Sequence, residues 1–222
     1  NTNDTIRNNN IFDILNPGDF LTPPGSNSCG INIDAFNSNW TVVGNDVYEG
    51  TLLSPAPFVS INYYLIRIAN LGTDYFIADN DLGGSAAACS GTLVKSNTDD
   101  NAFFGIFLDV SSAIVRSNRI QSFDWHNSGF QSWTGIHVQG GEVIIGGSNP
   151  SNGNIIGNSS GTGSIIVTSD DSGHEVYGIN ISKPAFDITN SVVKSNIIGA
   201  IQTRNSFITD GGNICGIMNV NG

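Results

Sequence analysis

The chain has 222 residues, a net charge of −11 and only eight Lys and Arg, so it offers no basic stripe for nucleic acid or for an anionic membrane surface. No apolar run approaches the ~20 residues of a membrane-spanning helix, and no membrane insertion is expected. Three cysteines, Cys29, Cys89 and Cys215, supply neither a paired disulfide framework nor a Cys-x-x-Cys metal or redox motif.

Charged residues are 12% of the chain, whereas 29 are Asn and 27 are Gly. Asn and Gly tolerate positive φ and favour sharp corners. The apolar residues are largely Ile and Val, which favour strands.

In chain order, Asn3-Asp4-Thr5-Ile6-Arg7-Asn8-Asn9-Asn10-Ile11 reads as the tail of a repeat. The first full landmark is Cys29-Gly30-Ile31-Asn32-Ile33, followed by Tyr64-Leu65-Ile66-Arg67-Ile68 and Phe104-Gly105-Ile106-Phe107-Leu108. Thr134-Gly135-Ile136-His137-Val138, Tyr177-Gly178-Ile179-Asn180-Ile181 and Cys215-Gly216-Ile217-Met218 continue the series. From Gly30 the steps are 35, 40, 30, 43 and 38 residues. Downstream of each first Ile stands an Asn with an aliphatic residue two positions later: Asn45, Asn80, Asn118, Asn154 and Asn196. A second alternating strand lies between the landmarks, as in Trp40-Thr41-Val42 and Val143-Ile144-Ile145. Each unit therefore reads strand, short turn, strand, Asn corner, strand, variable excursion.

Period-two alternation turns Ile31, Ile66, Ile106, Ile136 and Ile179 to one face. One such unit cannot bury that face, but units stacked at ~4.8 Å build a continuous core. The corner Asn residues are expected to take the left-handed conformation and to bond through their amides to the Asn above and below. The predicted fold is all-β: a single-stranded right-handed parallel β-helix of about six coils with variable loop excursions and both ends uncapped. Residues 1–222 are expected to be one repeat domain cut from a longer chain. A Greek-key β-sandwich is the alternative. Cys29 and Cys215 fall in one column, five coils or ~24 Å apart, too far for a disulfide. Both are expected to be small buried hydrophobes.

For chemistry, the outward columns are Asn32, Arg67, Phe107, His137, Asn180 and Asp34, Ala69, Asp109, Gln139, Ser182. Asp34 and Asp109 would stand ~10 Å apart, at the limit for an inverting carboxylate pair. Arg67 and His137 flank Asp109, and a surface Arg–Asp pair is the simpler reading. Asp79-Asn80-Asp81-Leu82-Gly83 opens like a calcium loop but lacks the later Glu, so a turn is expected. No cofactor, metal site or Gly-x-Ser-x-Gly nucleophile motif is expected. The segment Ser122 to Trp133 concentrates Phe123, Trp125, His126, Phe130 and Trp133, and these are the candidate binding residues. Exposed aromatic rings stack on flat ligand faces; the alternative is that they cover the core.

The phrases Gly153-Asn154-Ile155-Ile156-Gly157-Asn158 and Tyr177-Gly178-Ile179-Asn180 make the chain resemble the right-handed parallel β-helix repeats of giant secreted surface proteins of Bacteroidetes-type bacteria. That resemblance implies an extracellular, cell-surface adhesin or filament, exported by a type IX route that uses a separate C-terminal signal. Asp4-Thr5-Ile6 is similar to the O-glycosylation site of those bacteria. The expected function is a non-catalytic scaffold or adhesin whose loop excursions meet glycans or other surface proteins, with further coils of the same chain as neighbours. The alternative is a polysaccharide lyase or glycoside hydrolase with its site on an exposed sheet face.

Overall fold

The computed structural model describes residues 3–15, 26–34, 37–54, 61–96, 99–170, 173–205 and 212–221. These residues are all-β, apart from a single 3-10 turn at Pro150–Asn152, and the strands form three parallel sheets. Ten strands make the large sheet, six the second and four the third. From Ile61 the chain runs through Ile61–Ala69 and Tyr75–Ala78 in the large sheet, Asp81–Leu82 in the second and Leu93–Lys95 in the third. It then re-enters the large sheet at Phe103–Arg116.

Register follows the apolar pattern. Ile31, Ile66, Ile106, Ile136, Ile179 and Ile217 are successive partners across the large sheet. The first five of these are buried, with Ile33, Ile68, Leu108, Val138 and Ile181 two positions on. Gly135 precedes its Ile for a steric reason. A Cβ there would lie 2.6 Å from the Gly178 carbonyl and 2.8 Å from the Ile156 side chain, which packs in from the second sheet. Gly178 meets Ile198 in the same way, so glycine lets the two sheets close against each other.

Two features of the unit differ from expectation. In the third and fourth repeats the first two strands are one, Phe103–Arg116 and Trp133–Ile145, bent by a register irregularity around Asp109. That irregularity pairs Asp109 with Gly140 rather than Gln139. The expected excursion also contains a strand: Leu93–Lys95, Phe123–Asn127, Ile165–Ser169 and Ile201–Asn205 form the third sheet.

At the corner between the large and second sheets the Asn residues bond in series. The Asn80 side-chain oxygen accepts from the Asn45 backbone N–H at 3.0 Å and from its amide at 2.9 Å. The same double contact joins Asn9 to Asn45, Asn80 to Asn118, Asn118 to Asn154 and Asn154 to Asn196. Each amide nitrogen from Asn45 onward also donates to a backbone carbonyl of the preceding repeat, such as Asn80 to Val42 at 3.0 Å. The left-handed conformation belongs to the residue before the Asn, not to the Asn itself. It is found at Asn8, Gly44, Asp79, Ser117 and Ser195, whereas Gly153 before Asn154 is extended, with φ −78°. The corner thus needs Asn for its paired donor and acceptor, and the bend is made one residue earlier.

Replacing Asn80 with Ala leaves the buried Asn45 donors and the Asn118 acceptor without their partner. This should cost about 2–4 kcal/mol in chemical denaturation. Asn80→Asp should cost at least as much, because a carboxylate cannot donate to Asn118 and Val42. An Asp variant as stable as the parent would show that turn propensity alone selects Asn here.

Candidate functional site

The aromatic residues between Ser122 and Trp133 are not a free loop. Phe123, Trp125 and Trp133 are each 1% exposed or less. Alternation along Phe123–Asn127 turns Phe123, Trp125 and Asn127 inward, and Trp133 opens the next strand of the large sheet. Phe103 packs on all three rings at centroid distances of 4.9–5.3 Å, and Tyr63 meets Trp125 edge-on at 5.5 Å. The expectation of a binding loop is therefore corrected: buried rings offer no contact area to a ligand. His126 points out and pairs with Asp170 at 3.2 Å, and Phe130 is exposed. The structure does not bring these two together with the others as one surface.

Aromatics of the outer sheet face gather elsewhere, with Phe104 and His137 half-buried and Tyr64 and Phe107 keeping only 6% and 9% of their surface exposed. Tyr64 and Phe104 are register partners on the outer face of the large sheet, and their rings stack at 5.0 Å. Phe107 and His137 are partners one step along, stacked at 5.3 Å. Edge-to-face contacts of 5.3–5.5 Å join the two pairs. The Arg67 guanidinium lies 5.8 Å from the Tyr64 ring centre and 6.0 Å from that of Phe107. Asn27, Asn62, Gln131, Asp109 and Gln139 complete the rim of a cleft of about 690 Å³. That volume falls in the ordinary range for small-ligand sites.

The position two before each landmark Ile, which Tyr64 occupies, also holds Cys29 and Cys215. This column shares the outer face, so the two thiols are not core residues as expected. Both are half-buried and free, as is buried Cys89. Sequence reading placed Phe107 and His137 outward but missed Tyr64 and Phe104. Their signal was an aromatic residue before the Gly or Leu of successive landmarks.

Polar groups at the cleft are unevenly satisfied. Arg67 donates to Asn32 at 3.1 Å and stands 3.6 Å from the Asp34 carboxylate. Asp34 is well exposed, so this pair adds little stability. Asp34 and Asp109 both partner Ala69 and so lie two strands apart, with Arg67 engaged by the first. In contrast, His137 Nδ1 at the cleft, and Thr134 Oγ1 and Asn180 Oδ1 outside its lining, are buried and have no hydrogen-bond partner. All three occupy the outer columns of the same sheet: Thr134 partners Phe104, and Asn180 partners His137. Burial holds the His137 imidazole well below its ordinary pKa, at about 4, and burial pushes the Tyr64 hydroxyl up. Both groups are neutral at pH 7.

The acidic segment at Asp79 carries corner chemistry. Asp79 makes the bend, Asn80 the ladder contact, and the Asp81 carboxylate receives a two-pronged contact from Arg119. Among the described residues, no group of three or more His, Cys, Asp or Glu is placed to hold a metal ion.

A base whose folded pKa is depressed resists protonation that the unfolded chain accepts. His137 should therefore lower stability as pH falls from 6.5 toward 4, by at most about 3 kcal/mol, and have no effect above that window. Wild type should lose stability relative to His137→Phe across this range; parallel pH profiles would refute the burial of a neutral imidazole. A scan of protein-family models, a search of curated proteins and a search of solved structures each find no match for this chain.

Proposed function

We propose that the chain is a right-handed parallel β-helix of about six coils, serving as a non-catalytic extracellular scaffold or adhesin segment that binds a neutral glycan on its outer sheet face. Three sheets of exclusively parallel ladder pairing, visited in a repeating order, support the coil reading. Its surface location rests on the resemblance of the repeats to bacterial surface proteins.

One observation carries the binding reading: the Tyr64, Phe104, Phe107 and His137 rings and the Arg67 guanidinium line one cleft together with the polar side chains of Asn62, Gln131 and Gln139. Aromatic floors accept the C–H faces of sugars, while the amides of Asn62, Gln131 and Gln139 at the cleft can donate to and accept from sugar hydroxyls. The cleft's one guanidinium is already shared with Asp34, and the chain's net charge is −11. Acidic polysaccharides are therefore disfavoured, and neutral ones fit. The scaffold supplies rigidity, since the rings stand on paired strands rather than on loops.

A second reading, a polysaccharide-active enzyme, draws on Asp109 beside Arg67 and His137 at the same cleft. The two separate by experiment. Calorimetry with neutral oligosaccharides should give a Kd of roughly 10 μM to 1 mM, weakened tenfold or more by Arg67→Ala or Gln139→Ala. No reducing ends should be released. Absence of binding to any neutral oligosaccharide would defeat the proposal. Release of sugar ends that stops in Asp109→Ala would establish the enzyme reading instead.

A further inference from the structure

The third sheet holds a lysine inside the core. Lys95 ends Leu93–Lys95 with its side chain turned inward and fully buried. Its strand partners are Leu53 on one side and Trp125 on the other. The ammonium nitrogen lies 5.3 Å from the Trp125 ring centre. It donates to the Asp99 carbonyl at 2.8 Å, to the His126 carbonyl, and to the Asn127 side-chain oxygen at 3.1 Å.

Asn127 is equally buried, and its amide is held as a polarised electrophile. Besides Lys95, its oxygen accepts from the Trp125 indole N–H at 3.1 Å and from the Asn101 backbone N–H at 3.3 Å. Its nitrogen donates to the carbonyls of Asn101 at 3.0 Å and Gln131 at 3.1 Å. Two fixed donors on an amide oxygen are the arrangement that stabilises a tetrahedral oxyanion. An amine is nucleophilic only when neutral. Burial draws the Lys95 pKa down to about 7, against the opposing charges of Asp99 and Asp100. Above pH 7 most of the side chain is therefore a neutral amine, which must give up one of its three donated bonds to turn its lone pair on the Asn127 amide.

We propose that Lys95 and Asn127 join in an intramolecular isopeptide bond that welds two adjacent strands of the third sheet. The Lys95 nitrogen attacks Cγ of Asn127, and the developing oxyanion is held by the Trp125 and Asn101 N–H groups. The surplus proton passes from the lysine nitrogen to Nδ2. The Cγ–Nδ2 bond breaks, ammonia leaves and the carbonyl re-forms. One amine and one primary amide become one secondary amide and one ammonia, with no change of oxidation state. Asp99, whose backbone carbonyl accepts from the Lys95 nitrogen at 2.8 Å and so places its carboxyl in the same segment, is assigned the proton relay. The bond closes a loop across a sequence separation of 32 residues. It ties neighbouring repeats against peeling apart, a property suited to a scaffold under pull.

The test is the intact mass of the folded chain after prolonged incubation in mildly alkaline buffer. The expected mass is that of the sequence less one ammonia. Digestion should then yield a branched peptide joining the Lys95 and Asn127 segments, with trypsin unable to cut after Lys95. Lys95→Met and Asn127→Ala should each keep the full mass, and Asp99→Ala should slow the loss of ammonia at least tenfold. A wild-type chain that stays at full mass overturns the proposal. So does ammonia loss with Lys95 still cleavable, as a cyclic imide at Asn127 would give. An Asp99→Ala chain that reacts at the parent rate removes Asp99 from the relay.

Discussion

Everything in this fold depends on how the buried corner between the large and second sheets satisfies its backbone. A chain that turns inside a protein exposes N–H and C=O groups that strand pairing no longer serves, and each one left unpaired costs about 1–3 kcal/mol. The asparagine series answers this with one residue type. Each side-chain oxygen takes the backbone and amide donors of the previous Asn, and each amide nitrogen, from Asn45 on, returns a bond to that repeat's carbonyl. No corner is satisfied alone, because its donors need the next repeat. Stacking distance and register are thereby set at the corner, and the Ile columns and glycine contacts follow from them. Such nearest-neighbour coupling makes stability a property of the stack rather than of any one unit.

Legibility in the sequence tracks how directly a residue faces its own kind. The Ile columns could be read because period two puts each Ile against another Ile. The Asn positions could be read because the same residue recurs at one point of every unit. The third sheet was harder. Its inward positions hold Leu93 and Lys95, then Phe123, Trp125 and Asn127, then Ile165, Val167 and Ser169. Aromatics beside His, Asn and Ser mimic a surface loop, although the apolar-x-apolar alternation was present in each row. The bend was misassigned because Asn tolerates the left-handed region. At every corner but that of Asn154 the residue before the Asn carries that conformation instead, and those positions hold Asn, Gly, Asp and Ser with no shared signature.

The candidate site divides along the same line. Phe107, His137, Arg67 and Asp109 were visible as outward residues, since alternation fixes which way a side chain leaves a strand. Tyr64 and Phe104 were not, because the glycine position shifts the alternation by one and turns the residue before it outward. Lys95 was the least visible. A lone lysine normally means a solvated surface, and only its carbonyl cage and the Asn127 amide reveal otherwise. The outer face thus carries the groups that can meet a partner. The interior of the third sheet carries the groups that can react with each other. Both are placed by the same stacked register.

Hydrogen exchange resolved by residue tests that dependence most directly. If the corner ladder holds the stack together, the backbone amides of Asn45, Asn80, Asn118 and Asn154 should exchange only through global unfolding. Their protection should match that of the Ile66, Ile106 and Ile136 amides in the large sheet. Exchange at the rate of exposed turn amides, while the Ile amides remain protected, would show that the core stands without the corner and would contradict the account.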